Sequence, residues 1–212
     1  MKESGRLGIM GGTFDPIHLG HLVAAEAARE QFGLDQVIFV PARLPPHKLD
    51  RPVTAAEHRL AMVLLATANH PRFFVSRVEL DRPGPSYTVD TLRSFRREHP
   101  GAALYFITGA DAVLELDGWK EPGELLRLCR LVVVSRPGYD RERLRAKAAS
   151  LEGETGCRIE ELAAPALDIS SGELRQRVIQ QKSLRYLVPR EVRDYILKQG
   201  LYQSEPFPPL IG

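Results

Sequence analysis

Short, continuous apolar runs recur along this chain, and between them lie longer stretches whose apolar residues fall at helical spacing. That alternation is the pattern of βαβ units, because a strand covered by helices on both faces has no polar side to show. Strands are expected at Arg6 to Met10, at Gln36 to Pro41, from Phe73 (FFVSRVEL), from Ala103 (ALYFITGA), from Leu131 (LVVVSRP) and near Arg158 to Leu162. A helix is expected from Leu19 to Phe32, closed by Gly33. A second follows Thr54 and Glu57, which form a capping-box pattern, and Thr88 can cap a third that runs to about Glu98. A helical stretch carrying Asp111 and Trp119, and a charged helix from Arg141 to Glu152, come next. SSGELRQRVIQQ and PREVRDYILKQG read as two closing helices, the second with Pro189 in its first turn. The prediction is an α/β fold with a doubly wound parallel sheet and C-terminal helices. It forms one domain over residues 1–212, with an irregular proline-rich tail at 203–212.

A chain of 212 residues can bury a core without disulfides or a structural metal. The 29 Lys and Arg exceed the 27 Asp and Glu by too little to argue for nucleic acid. No run approaches the length of a membrane span, and the N-terminus lacks the apolar stretch of a signal peptide. Cys129 and Cys157 sit in no CxxC or Cys/His zinc spacing, so they read as reduced thiols of a cytoplasmic protein. No nucleic-acid or membrane partner is expected, and a homo-oligomer is compatible with the sequence.

The most informative segment is GIMGGTFDPIHLGHL, placed where the first strand passes into the first helix. Ligands of open α/β sheets bind at the carboxyl ends of the strands, so the position suits a site. Gly11 and Gly12 remove side chains where a ligand would approach, and the helix that follows offers free N–H groups to an anion. The pattern is neither GxGxxG nor GxxxxGK[ST]. Instead His18 and His21 stand at i and i+3 with Gly20 between them, so both imidazoles can donate to one group of oxygens. A zinc pair is the competing reading; it needs further ligands, of which Asp15 is the nearest candidate. A surface pair is the blander alternative.

On these residues the chain resembles the nucleotidyltransferase superfamily that shares a T/HxGH signature with class I aminoacyl-tRNA synthetases. The wider string GGTFDPIHLGH is similar to bacterial nicotinate-nucleotide adenylyltransferases. PPHK (Pro45 to Lys48), SYTVDTL (Ser86 to Leu92), FITGAD (Phe106 to Asp111) with Trp119, ISSGELR (Ile169 to Arg175) and YLVP (Tyr186 to Pro189) match that family in the same order. The likeness spans nearly the whole chain and implies a Rossmann-like nucleotidyltransferase fold. One departure stands in the second signature, ordinarily ISSTxxR or ISSSxxR, where this chain has Gly172 and so lacks a hydroxyl.

The resemblance implies transfer of the adenylyl group of ATP to nicotinate mononucleotide, in the synthesis of NAD. By it, His18, His21 and Arg175 are the catalytic residues. Gly11, Gly12, Thr13, Phe14, Gly20, Gly109, Asp111, Ile169, Ser170 and Ser171 bind ATP. Trp119 stacks on the pyridine ring, although a lone tryptophan packed in the core is the bland reading. Thr88 meets the nicotinate carboxylate, and Lys48 and Arg136 anchor the acceptor phosphate or are simply solvated loop residues. Magnesium is expected to bind mainly through the ATP phosphates, with no dedicated metal ligands. The rivals are an adenylyltransferase acting on phosphopantetheine, a non-catalytic nucleotide-binding module, and a zinc hydrolase built on the histidine pair.

Overall fold

The computed structural model describes residues 5–45, 52–134, 140–165 and 167–203. The apolar runs form β1 (Arg6–Gly12), β2 (Gln36–Pro41), β3 (Phe73–Val75), β4 (Ala103–Gly109), β5 (Arg130–Val134) and β6 (Ile159–Leu162). They pair in parallel throughout, in the order β3-β2-β1-β4-β5-β6.

Because successive side chains of a strand point to opposite faces, each run feeds two cores. Val37 and Phe39 of β2 join Met10, Tyr105, Ile107 and Val132 on one face. There α1 (Leu19–Phe32), α2 (Ala56–Thr67), α7 (Ser171–Ile179) and α8 (Arg190–Lys198) pack. Ile38 and Val40 join Ile9, Phe106, Leu131 and Val133 on the other. That face is covered by α3 (Thr88–Glu98), α4 (Ala110–Leu114), α5 (Pro122–Leu128) and α6 (Arg141–Thr155). The doubly wound expectation therefore holds. So does the end of α1, where Gly33 takes the left-handed conformation at φ 59° and its N–H bonds back to Arg29 and Glu30.

Several local expectations give way to longer-range contacts. Thr54 does not cap α2; Ala55 holds that position without a side-chain cap bond. The Thr54 N–H donates to Asp15 Oδ2 at 3.2 Å, and its carbonyl accepts from Arg59 Nε at 2.8 Å. Glu57 pairs with Arg77 instead of closing a capping box. Thr88 is the first helical residue of α3, with Tyr87 in the cap position. Only Phe73–Val75 of the third apolar run enters the sheet. Its next residues leave the sheet, and Val78 to Leu80 form a turn in which both Glu79 and Leu80 are buried. Trp119 follows a 3-10 turn, Leu116–Gly118, in extended backbone and not in a helix. Pro189 stands just before α8, not inside its first turn.

Candidate active site

The strand order reverses direction between β1 and β4, and a cleft of about 420 Å³ opens there at the carboxyl ends of the strands. Its floor is made where β1 ends at Gly11, Gly12 and Thr13 and where β4 ends at Thr108 and Gly109. His18, Gly20 and His21 line the cleft, and so do Ser86, Tyr87, Thr88, Trp119 and Lys120.

The histidine pair is preorganised by the helix start. His18 is 3% exposed and stacks on His21, ring centroids 3.7 Å apart. The backbone N–H of His18 donates to Nδ1 of His21 at 3.2 Å. With Nδ1 accepting, the neutral His21 ring carries its proton on Nε2. A Cβ at Gly20 would press on the His18 ring at 3.0 Å, so the glycine keeps the imidazole in place as much as it clears room for a ligand. At the end of β4, Asp111 lies over Gly109 so closely that a Cβ there would collide with Oδ1. Asp111 lines the cleft from that position.

Phe14 does not line the cleft. Its ring lies edge-on to His21 and against Phe39, and a Cβ on Gly12 would meet it at 3.0 Å. It supports the site from beneath. Ser170, Ser171 and Arg175 do not line the cleft either, although Ile169 beside them does. Ser170 Oγ caps α7 by accepting from the Glu173 N–H. Ser171 Oγ donates to the Pro16 carbonyl at 2.8 Å, and Arg175 Nη1 to the Asp15 carbonyl at 2.6 Å. The second signature is thus docked on the loop that leads into His18. A Cβ on Gly172 would meet nothing closer than Arg175 Nη2 at 4.0 Å, so no packing demand explains the missing hydroxyl.

Trp119 stands between the core and the cleft. Its ring is edge-on to Phe106, centroids 6.4 Å apart, and packs on the core, while it also lines the cleft. Thr88 lines the cleft at the first turn of α3, among amides that the helix leaves free for a ligand. Lys48 and Arg136 lie outside the described residues.

Three residues of this region were not legible as site residues in the sequence. Arg59 is 1% exposed and ties two loops together, donating to the Thr13 carbonyl after β1 and to the Arg43 and Thr54 carbonyls between β2 and α2. Burial holds its guanidinium below the usual arginine range. Glu79, 6% exposed, lines the cleft, accepts from Thr91 Oγ1 at 2.6 Å, and has its carboxyl pushed up by burial. Lys120 sits over the Tyr87 ring and pairs with Asp90 at 2.9 Å. A basic or acidic residue inside an apolar run was the signal for the first two.

Asp15, the sequence candidate for a third zinc ligand, has both carboxylate oxygens engaged by Tyr202 and Thr54. Among the described residues no group of three or more His, Cys, Asp or Glu could hold a metal ion. The zinc reading has no ligand set there.

Residues 9–177 match the cytidylyltransferase-like family model. A protein of Moorella thermoacetica, named "Probable nicotinate-nucleotide adenylyltransferase", is 56% identical over 204 residues, covering 96% of this chain and 94% of that protein. The chain belongs to the nicotinate-nucleotide adenylyltransferase family. A relative of the same name in Thermus thermophilus is 52% identical over 198 residues, 93% of this chain and all of that protein. The likeness in fold reaches further than in sequence. The nicotinic acid mononucleotide adenylyltransferase of Plasmodium falciparum, solved in complex with NaAD, superposes with a TM-score of 0.75 at 22% identity, over 93% of this chain and 97% of that one. Family membership thus accords with the cleft at the β1–β4 seam, where the fold's ligands are expected.

Proposed function

We propose that this chain transfers the adenylyl group of ATP to nicotinate mononucleotide, giving nicotinate adenine dinucleotide and pyrophosphate. The observation that carries the reading is one cleft lined both by the paired histidines and by Trp119 and the first turn of α3. It offers phosphate-binding and ring-binding groups within one enclosure, which suits two nucleotides meeting at their phosphates.

In the reaction an oxygen of the acceptor 5′-phosphate attacks the α-phosphorus of ATP, and the bond from that phosphorus to the bridging oxygen breaks. The acceptor phosphate is already largely ionised near neutral pH, so the site must supply placement and charge stabilisation and not a strong base. His18 and His21 donate to the phosphate oxygens where negative charge grows. Gly11, Gly12, Thr13 and Gly20 let the triphosphate lie against backbone, with Phe14 behind them. Asp111 accepts from the ATP ribose, and Gly109 leaves room for it to do so. Ile169, Ser170 and Ser171 border the β- and γ-phosphates, and Arg175 keeps Nη2 for them while Nη1 holds Asp15. Trp119 stacks on the pyridine, and Thr88 with the first-turn amides of α3 receives its carboxylate. Lys48 and Arg136 anchor the acceptor phosphate from outside the described residues. Magnesium would come with ATP, held through the phosphates, and would neutralise charge on the leaving pyrophosphate. The whole chain reads as one such domain. No helix among the described residues is long and apolar enough to cross a membrane, and the two free cysteines suit a cytoplasmic setting.

Pyrophosphate release with ATP and magnesium, compared across nicotinate mononucleotide, nicotinamide mononucleotide and phosphopantetheine, tests this reading. A strong preference for the first is expected. Turnover with phosphopantetheine alone would keep the chemistry and overturn the substrate.

A further inference from the structure

The segment between Gly12 and His18 is held by an unusual number of distant partners. The Thr13 carbonyl accepts from Arg59 Nη1 at 2.7 Å, and the Pro16 carbonyl accepts from Ser171 Oγ at 2.8 Å. Phe14 takes a positive φ of 50°, a conformation that a phenylalanine adopts only when its surroundings impose it. Asp15 carries most of the burden: it is 4% exposed and makes three bonds to three other parts of the chain. Its carbonyl accepts from Arg175 Nη1, its Oδ2 from the Thr54 N–H, and its Oδ1 from the Tyr202 hydroxyl at 2.7 Å.

Tyr202 belongs to no signature. It lies in the turn that follows α8, with φ at 67°, and its ring packs against the core that α1, α2 and α8 share. Its hydroxyl reaches Asp15 across 187 positions of sequence and sits 4.0 Å from Met62 Sδ. A buried carboxylate oxygen that loses its donor is left unsatisfied, and the backbone that carries it must shift toward another partner. Here that backbone leads, three residues on, into His18.

We propose that Tyr202 is a positioning residue for the phosphate end of the site: its hydroxyl fixes Asp15, and Asp15 fixes the path of the loop that presents His18 and His21. Arg175 contributes from the opposite side, so the loop is clamped between α7 and the turn after α8. Burial pushes the Tyr202 phenol up, with the neighbouring Asp15 charge as the second cause, so the hydroxyl keeps its proton and the clamp stays closed across the neutral range. The inference rests on the adenylyl-transfer reading for what the loop does, but the clamp itself can be read from ATP binding alone.

The test compares Tyr202→Phe with Tyr195→Phe. Tyr195 also spends a hydroxyl on a tertiary bond, to His58 Nδ1 at 2.8 Å, but its partner belongs to α2 and not to the loop that leads into His18. Each variant is measured for melting temperature, for the dissociation constant of ATP by calorimetry, and for kcat and KM toward ATP and toward nicotinate mononucleotide. Tyr202→Phe is expected to lose roughly ten- to a hundred-fold in kcat/KM for ATP, the scale set by small misplacement of a catalytic group. Its ATP binding should weaken, while KM for the acceptor stays within about twofold, because Trp119 and α3 are untouched. Tyr195→Phe should lower the melting temperature comparably and leave these constants unchanged. Asp15→Asn combined with Tyr202→Phe should cost less than the sum of the two changes, since they share the Tyr202–Asp15 bond, while Asp15→Asn also disturbs the bond from Thr54. Wild-type kinetics and ATP affinity in Tyr202→Phe, or equal losses in the two tyrosine variants, would overturn the proposal. If the wild-type protein shows no turnover with nicotinate mononucleotide, the substrate reading fails, and the ATP affinities of the two variants still decide whether Tyr202 sets the loop.

Discussion

At the scale of single residues, Glu79 shows how far a side chain's role can depart from its place in a sequence pattern. In FFVSRVEL, expected to be a strand, it falls on the side that Phe73, Val75 and Arg77 would share. In the fold it lies in a turn, buried at the edge of the cleft, bonded to Thr91 and near Arg82 and Arg59. Burial outweighs those partners and raises its carboxyl above the ordinary 4.5. An acid whose folded pKa is raised gives stability that is fully present below its unfolded value and is lost as pH rises through the folded one. Glutamine mimics the protonated acid and keeps an acceptor for Thr91. Glu79→Gln should therefore melt like the wild type at about pH 4 and higher than it at about pH 8. A melting series across that range checks the sign; a wild type that gains on the variant with rising pH would show that Arg82 and Arg59 win.

Among the elements, those with a dense local signal were legible. Strands β1, β2, β4 and β5 stand close to their expected places, because residues covered on both faces must be apolar at every position. Gly33 closed α1 for a reason visible in one residue. One misreading sits where the helix starts a residue late: Ala55 takes the cap position of α2, and Thr54 before it gives its amide to Asp15 and its carbonyl to Arg59. The signature that holds Asp15 lies far outside any window that would be read around Thr54. The candidate site divides the same way. His18, His21, Gly109, Asp111 and Trp119 announced themselves by motif and by chemistry, whereas Arg59 and Tyr202 are ordinary letters in their own neighbourhoods. The short 3-10 turn Leu116–Gly118 illustrates an element whose purpose is to deliver one ring. Trp119→Ala should raise KM for the pyridine nucleotide roughly tenfold or more, as expected from loss of a stacking contact worth about 1–3 kcal/mol. KM for ATP should hardly move, and the melt should remain cooperative, though lower; a lost cooperative melt would make Trp119 a core residue first.

For the molecule as a whole, the sheet order places the cleft at the seam where β1 turns one way and β4 the other, and both halves of the chain supply its rim. Two apolar layers form the fold's core, and among the described residues no group of three or more His, Cys, Asp or Glu could hold a metal ion. Chelation should separate stability from activity. Removing magnesium with EDTA is expected to stop pyrophosphate release and to leave the melting temperature of the ligand-free protein where it was, with activity restored by added magnesium. A fall in melting temperature on chelation would reveal a structural metal.

The loop around Asp15 leaves the ribosome well before the groups that clamp it. Arg175 follows it by 160 positions and Tyr202 by 187. During synthesis Thr54 and Arg59 emerge early enough to meet this loop, whereas its two late clamps are made only after most of the chain. An unfinished polypeptide thus carries the first signature with only part of the bonding that surrounds it in the folded chain.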